Sequence, residues 1–260
     1  MKRDRSVILF SGLLLLLGSG RALGQSQVDD TVLVVGGYAG SWDTELLITN
    51  TNSAAVQGVV QAETSAGGQP CPISCPTATF NLPGHGTARL SARSFLGTAE
   101  EGPRNLRITT FLGLFFIAPT VQARLVNTAS PAQSTDLPVV AETAVDALNS
   151  TDLFFPGAQR SSTAHSNLIL TRVNATSSSF SVLVQAFSSD GVLLGGGQFT
   201  APEGAKTLFL VDVLSQLGVS AVTDGSIQVT RVSGDGGLWG LLATSFADGR
   251  VTVSTGGSPR

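Results

Sequence analysis

The residues ELLIT at positions 45–49 recur as NLILT at positions 167–171, and this repetition decides the fold. Each run leads to an Asn and then to a second apolar run, Val59-Val60-Gln61-Ala62 in the first copy and Leu183-Val184-Gln185-Ala186 in the second. Three further pairs follow in the same order: Phe80-Asn81-Leu82-Pro83 with Phe199-Thr200-Ala201-Pro202, Phe95-Leu96-Gly97 with Gln216-Leu217-Gly218, and Leu106-Arg107-Ile108-Thr109 with Ile227-Gln228-Val229-Thr230. Shared order at similar spacing predicts two copies of one unit.

Both copies have the residue pattern of β-structure, because short runs of Val, Leu, Ile, Phe and Thr are separated by Gly, Ser, Asn and Pro. We predict strands at 31–35, 43–49, 55–63, 77–82, 86–91, 104–110 and 114–126, and at 152–155, 165–173, 180–188, 191–200, 206–211, 225–232, 238–246 and 250–254. Many short strands with turns every 8–12 residues are typical of a sandwich. The predicted fold class is therefore all-β, with two tandem antiparallel β-sandwich domains, immunoglobulin-like or jelly-roll-like, at residues 30–130 and 151–255 and a linker at 131–150.

Turn and capping signals lie between the predicted strands. Ser188-Ser189-Asp190-Gly191 predicts a type I′ hairpin turn, and Asp224-Gly225 and Asp248-Gly249 are similar signals. One short helical turn is predicted in each copy. Asp212 would cap residues 213–217 before Gly218, and Ser91 to Gly97 is the counterpart in the first copy.

The first 24 residues have the three parts of a secretory signal peptide. Lys2, Arg3 and Arg5 precede an apolar run from Val7 to Leu17, and Ala22-Leu23-Gly24 supplies small residues for cleavage after Gly24. The apolar run is too short to span a bilayer, and no later stretch of the chain is long enough. We therefore expect a secreted or periplasmic protein with no membrane span in the mature chain.

The second copy resembles the tandem β-sandwich repeat proteins that bacteria secrete. The resemblance rests on Pro156-Gly157, Asn174, Asp190-Gly191, Pro202 to Gly204, Asp212-Val213-Leu214 and Gly225. The first copy departs from the pattern, since Ser91-Ala92-Arg93 replaces the Asp-Val-Leu turn and a segment with Cys71 and Cys75 replaces the Asp-Gly hairpin. The resemblance implies the fold and the exported location. It implies no catalytic residues, because no activity is assigned to the group.

Cys71 and Cys75 are the two cysteines of the chain. Export through an oxidising compartment predicts a disulfide between them. The alternative is a redox or metal-binding pair, although three residues separate the cysteines whereas a thioredoxin-type pair has two.

Composition and motif spacing exclude several chemistries. Lys and Arg number 15 against 18 Asp and Glu, so no basic surface for nucleic acid is predicted. His85 and His165 lack partners at matched spacing, and Gly195-Gly196-Gly197 reads as a bulge or bend. The carboxylates of two close pairs (Asp43 with Glu45, Glu100 with Glu101) and of four Asp beside Gly (Asp190, Asp224, Asp235 and Asp248) are interpreted as surface or turn residues. We predict no catalytic, metal or cofactor site, and thus no enzyme.

Tyr38 and Trp42 follow the first predicted strand closely and form a possible ligand platform, with packing in a core or domain interface as the alternative. Trp239 is predicted to be a core residue. Two functions stay open. The first is an exported, non-catalytic structural or adhesive protein of the cell envelope or extracellular space that acts as an interaction module. The second is a carbohydrate- or ligand-binding module that uses the aromatic loop near Tyr38 and Trp42, with a polysaccharide or an envelope component as the partner.

Overall fold

A computed structural model describes residues 28–64, 74–97, 101–112, 117–142, 144–145, 151–173, 175 and 179–257. Antiparallel strands make up most of the described residues and the helices are short, which confirms the predicted all-β fold class. The predicted signal peptide at residues 1–24, Cys71, Glu100 and Asn174 lie outside the described residues.

The first half of the chain, residues 28–145, forms one nine-stranded sheet that divides into two layers. Its elements are β1 (Val28–Ala39), β2 (Trp42–Thr49), β3 (Val56–Ala62), β4 (Thr77–Leu82), β5 (Thr87–Ser91), α1 (Ala92–Leu96), β6 (Gly102–Leu112), β7 (Thr120–Asn127), β8 (Ser134–Leu137) and β9 (Val139–Ala141). One layer has the order β4-β3-β6-β1, and the other has the order β5-β2-β7-β8. Because β1 and β2 pair only from Tyr38 to Asp43, the layers meet at one corner and enclose a first core that includes Val34, Leu46 and Ile108.

The second half, residues 151–257, forms two four-stranded sheets. Its elements are β10 (Asp152–Arg160), β11 (Ala164–Val173), β12 (Ser181–Phe187), β13 (Leu193–Thr200), β14 (Thr207–Leu210), α2 (Val213–Gln216), β15 (Val222–Ser233), β16 (Gly237–Phe246) and β17 (Val251–Thr255). The sheets have the orders β10-β15-β12-β13 and β14-β11-β16-β17. Phe155, Phe180 and Leu168 are fully buried in the second core, to which both sheets contribute.

The two halves share one order of strand pairing. The layer β4-β3-β6-β1 corresponds to β13-β12-β15-β10, and β5-β2-β7-β8 corresponds to β14-β11-β16-β17. The register agrees as well, since Val60 lies opposite Ala78 and its counterpart Val184 lies opposite Gly197. This shared order is what two copies of one unit would produce. The segment predicted as a linker, residues 131–150, contributes β8 and β9 to the first half.

The Asp-Gly signals form two kinds of structure. The turn at Ser188–Gly191 joins β12 and β13 as predicted, but the predicted type I′ geometry is wrong. Gly191 has a φ of 80° and its amide donates to the Ser188 carbonyl, while Asp190 keeps a negative φ, so this is a type I turn closed by a left-handed glycine. Asp248-Gly249 forms the same kind of turn between β16 and β17.

Asp224-Gly225 makes no hairpin turn, so this prediction is wrong. Asp224 lies inside β15 with a φ of 54°, at a place where the pairing with β10 shifts register. A positive φ occurs in some bulges as well as in tight turns, so the dipeptide alone does not distinguish them.

The two helical turns form where they are predicted, but their caps differ. Ser91 accepts a hydrogen bond from the Ser94 amide at 3.3 Å and caps α1 as expected. The predicted capping role of Asp212 is wrong. Its backbone has a left-handed conformation with a φ of 43°, and its side chain makes no capping hydrogen bond to the helix. Its carboxylate pairs instead with the Arg160 guanidinium, 3.1 Å away.

Candidate functional site

A third core lies between the two halves of the chain. Side chains alternate along β1, so Val32 and Val34 face the first core while Leu33 and Val35 point to the opposite side. There they pack with residues of the second half, chiefly Ile169, Val173, Trp239 and Leu241. These four residues belong to β11 and β16, so the two central strands of the sheet β14-β11-β16-β17 are buried on both faces.

Burial on both faces explains the composition of β11 and β16. Leu168 and Leu170 belong to the second core, and Ile169 between them belongs to the third. A strand covered on both faces is apolar at consecutive positions rather than at alternate ones. Trp239 is 5% exposed in the third core, which confirms that it is a core residue. Its indole nitrogen has no hydrogen-bond partner in the part of the chain that the structure describes.

Polar contacts at the margin also join the two halves. The buried Glu63 carboxylate of the first half lies 3.3 Å from the Lys206 ammonium of the second half and 3.5 Å from the Arg107 guanidinium. On another side, the Gln133 side chain donates to the Asp248 carbonyl at 3.1 Å. Ion pairs with an exposed partner contribute little to stability, so the apolar contacts supply most of the attraction between the halves.

An apolar cavity of about 220 Å³ lies beside the third core. Both halves line it, with Tyr38 and Trp42 from the first half and Phe209, Leu241 and Val253 from the second. The polar side chains in its wall include Thr44 and Asn167, which already accept backbone hydrogen bonds from Gly37 and Asp212. The cavity therefore offers mainly apolar contacts to a ligand.

Tyr38 and Trp42 meet at this cavity, but they do not form an open platform. Tyr38 is 2% exposed, its ring lies 4.5 Å from the Arg93 guanidinium carbon, and its hydroxyl donates to the Gly97 carbonyl. Trp42 is half-buried. A sugar that stacks on an aromatic side chain needs a free ring face. The buried Tyr38 ring therefore forms part of the cavity wall and offers no stacking surface, so the two rings do not act as a joint platform.

The other residues weighed from the sequence lie in separate places. Asp43 is buried and accepts hydrogen bonds from the Arg93 amide and the Ser91 hydroxyl, at 3.0 and 2.5 Å, whereas Glu45 faces Arg89 at 3.7 Å. His85 in a turn and His165 on β11 are both exposed. In the described residues, no three His, Cys, Asp or Glu side chains come close enough to hold a metal ion.

Asp248, interpreted from the sequence as a surface or turn residue, is engaged within its own turn. Hydrogen bonds from the Arg250 backbone amide and side chain lower the pKa of Asp248 below its ordinary value of 3.8. The carboxylate is therefore ionised at neutral pH and is held by Arg250. This use of the carboxylate is structural.

The predicted disulfide is described at one end only. Cys75 is half-buried against the first core, two residues before β4 begins. Cys71 lies outside the described residues, so the pairing stays a prediction.

Sequence reasoning missed Asn50, which organises one end of the first half. Asn50 is fully buried at the end of β2, and its amide nitrogen donates to the carbonyls of Ala54 and Pro83, at 2.8 and 3.0 Å. Its side-chain oxygen accepts from the Asn52 amide at 3.0 Å, and Asn52 in turn binds the backbone of Ile117 through both its side-chain atoms. The only sequence signal was an Asn directly after an apolar strand.

The helices of the described residues are short, and none is long and apolar enough to cross a membrane. The third core and the cavity beside it are features to which both halves of the chain contribute. No protein-family model, no curated protein and no solved structure matches the chain.

Proposed function

We propose that the protein is an exported, non-catalytic structural or adhesive protein of the cell envelope or extracellular space, acting as a rigid interaction module. The third core is the observation that carries this proposal. Apolar packing between Leu33 and Val35 on one side and Ile169, Trp239 and Leu241 on the other fixes the two sandwich units relative to each other. A fixed pair presents its loops and sheet edges at constant spacing, as a spacer or adhesive module requires.

The use of the charged side chains supports a non-catalytic role. Asp43 holds the start of α1, Asp152 accepts from the Thr230 hydroxyl at 2.6 Å, and Asp212 pairs with Arg160. Active sites instead bring several titratable groups together in one cleft. The signal-peptide pattern of residues 1–24 supports export.

Co-sedimentation with the envelope fraction of the producing organism tests the proposal. We expect the purified protein to sediment with this fraction and to show no retention on a panel of soluble polysaccharides. The Trp42→Ala variant serves as the control, because Trp42 lines the cavity and is not required for an interaction through the outer surface. Its envelope binding should equal that of the unmodified protein. Absence of sedimentation with the envelope would refute this role.

A second candidate function is the binding of a small apolar ligand in the cavity. The specific observation is that Tyr38 and Trp42 share one apolar cavity between the halves. Its size exceeds the roughly 150 Å³ at which an engineered apolar cavity in a protein binds benzene. This geometry suits an aliphatic or aromatic group better than a polysaccharide, because the lining offers few free hydrogen-bonding groups.

Decanoate, a medium-chain fatty acid, is a suitable probe of the second candidate. If the cavity binds apolar chains, decanoate should raise the melting temperature and shift the tryptophan emission to shorter wavelength, because the alkyl chain displaces water from the half-buried Trp42. The Ala243→Phe variant should abolish both effects, because Ala243 lines the cavity and the larger ring fills it. An equal response of this variant would place the ligand elsewhere, and no response of the unmodified protein would exclude fatty-acid binding.

A further inference from the structure

The edge strand β13 carries apolar side chains into solvent. In the described residues it pairs only with β12, so its other edge has no partner strand. Leu193 and Leu194 on the strand and Val192 before it are 53%, 39% and 60% exposed. The ten residues from Val192 to Ala201 include no charged residue and no proline. A long, uncharged and apolar edge is a template for pairing with another chain.

Other edge strands carry features that oppose such pairing. β8 carries Asp136, β5 carries Arg89, and β14 is only four residues long and follows Lys206. At the edge that corresponds to β13 in the first half, β4 begins directly after Pro76 and exposes three polar side chains, Thr77, Thr79 and Asn81. Charges, prolines and short length are the means by which proteins protect sheet edges. The β13 edge has none of these.

The glycines of β13 give an independent reason to expect a close neighbour. Contacts within the same chain require glycine at position 195, because a Cβ there would lie 2.3 Å from the Leu217 carbonyl oxygen. No such contact requires glycine at positions 196 and 197. The atom nearest to a Cβ would be 3.4 Å away at Gly196 and 3.5 Å away at Gly197, which are ordinary van der Waals distances. Glycine weakens a strand, and one without an internal reason often marks a place where another backbone approaches.

We propose that β13 pairs antiparallel with β13 of a second copy of this chain. A two-fold axis through the glycine run would join two four-stranded sheets into one sheet of eight strands. Antiparallel pairing about this centre brings the Leu193 end of one strand to the Phe199 end of the other, so apolar side chains meet on both sides of the glycines. An edge without charge neither repels its own copy nor attracts a charged partner. The dimer does not depend on the proposed envelope role.

Sedimentation-velocity ultracentrifugation of the Gly196→Lys variant tests the proposal. The exposed face at Gly196 has room for a side chain, so the variant should fold. Near a two-fold axis the two added lysines become close cross-strand neighbours, and like charges in that position disfavour pairing. We expect the unmodified protein to dimerise at micromolar concentration and the dissociation constant of the variant to rise by at least about 10-fold.

Thr77→Lys is the matched control, because Thr77 on β4 corresponds to Gly196 on β13 and is also exposed. It adds the same charge to the edge of the other half and should leave the dimer unchanged. Far-UV circular dichroism checks folding, and Leu194→Gln replaces Gly196→Lys if the lysine variant fails that check. A monomeric unmodified protein would overturn the proposal. So would equal dimerisation in the folded β13 variant, or a dimer that Thr77→Lys breaks.

Discussion

Replacing Trp239 by alanine is expected to lower the free energy of unfolding by about 3–5 kcal/mol, as measured by urea denaturation followed by circular dichroism. Trp239 is nearly fully buried and packs in the third core with Leu33 and Val35 of the first half. Truncation to alanine removes the largest side chain of that core and leaves a cavity between two rigid sheets. Such sheets cannot close the cavity without losing their own packing.

Trp239→Phe separates packing from hydrogen bonding at the same position. The buried indole N–H has no partner in the described part of the chain, and an unsatisfied buried donor is itself destabilising. Phenylalanine keeps most of the volume and removes that donor, so its cost should stay below about 1.5 kcal/mol. An equal loss for the phenylalanine and alanine variants would contradict the assignment of Trp239 to packing.

A double-mutant cycle tests whether this packing joins the two halves. Leu33→Ala should couple to Trp239→Ala by roughly 0.5–3 kcal/mol, because both residues belong to the third core. Val34→Ala is the control, since Val34 is the next residue of the strand but faces the first core. Additivity in both cycles would mean that the two halves are not energetically linked through this core.

Most strands were predictable because each has a local signal, although β8 and β9 lie in the segment predicted as a linker. The association of the halves has no such signal. For β16, the predicted range of 238–246 differs from the observed Gly237–Phe246 by a single residue. The run Leu168-Ile169-Leu170 shows that this segment is buried, but not that alternate side chains enter different cores. That division depends on which sheet faces which, and residues far apart in the chain decide it.

The candidate site was predictable in part for the same reason. Proximity in sequence correctly brought Tyr38 and Trp42 together. Their burial could not be read locally, because Arg93 and Gly97, which cover Tyr38, come more than 50 residues later. Asp224 is a second example. The Asp-Gly dipeptide predicts its positive φ, but its position inside a strand depends on the pairing of β15 with β10, which the dipeptide does not predict.

Replacing Asn50 by alanine is expected to lower the free energy of unfolding by about 2–4 kcal/mol. Without the Asn50 side chain, the carbonyls of Ala54 and Pro83 each lose a hydrogen-bond donor, and the Asn52 amide loses its acceptor. These bonds tie the end of β2 to the β2–β3 loop and to the β4–β5 turn, and the backbone amide of Asn50 adds a further bond to the Gly86 carbonyl. Asn81→Ala on β4 is the control, because Asn81 is exposed, and it should change stability by less than about 0.5 kcal/mol.

Asn50→Asp tests the direction of these hydrogen bonds, because aspartate has nearly the same side-chain shape as asparagine but lacks the amide donor. A carboxylate has no donor, so its second oxygen would face the carbonyl oxygens of Ala54 and Pro83, and at pH 7 the variant should be at least as unstable as Asn50→Ala. As the pH falls, the carboxyl group takes up a proton and can donate again. Protonation is favoured in the folded state, so the difference in unfolding free energy between Asn50→Asp and the unmodified protein should narrow toward pH 4. The difference between Asn50→Ala and the unmodified protein should show no such narrowing, because alanine has no proton to gain. A parallel pH dependence for the two variants would mean that the Asn50 amide does not donate to these carbonyls, and that packing alone holds this end of the first half.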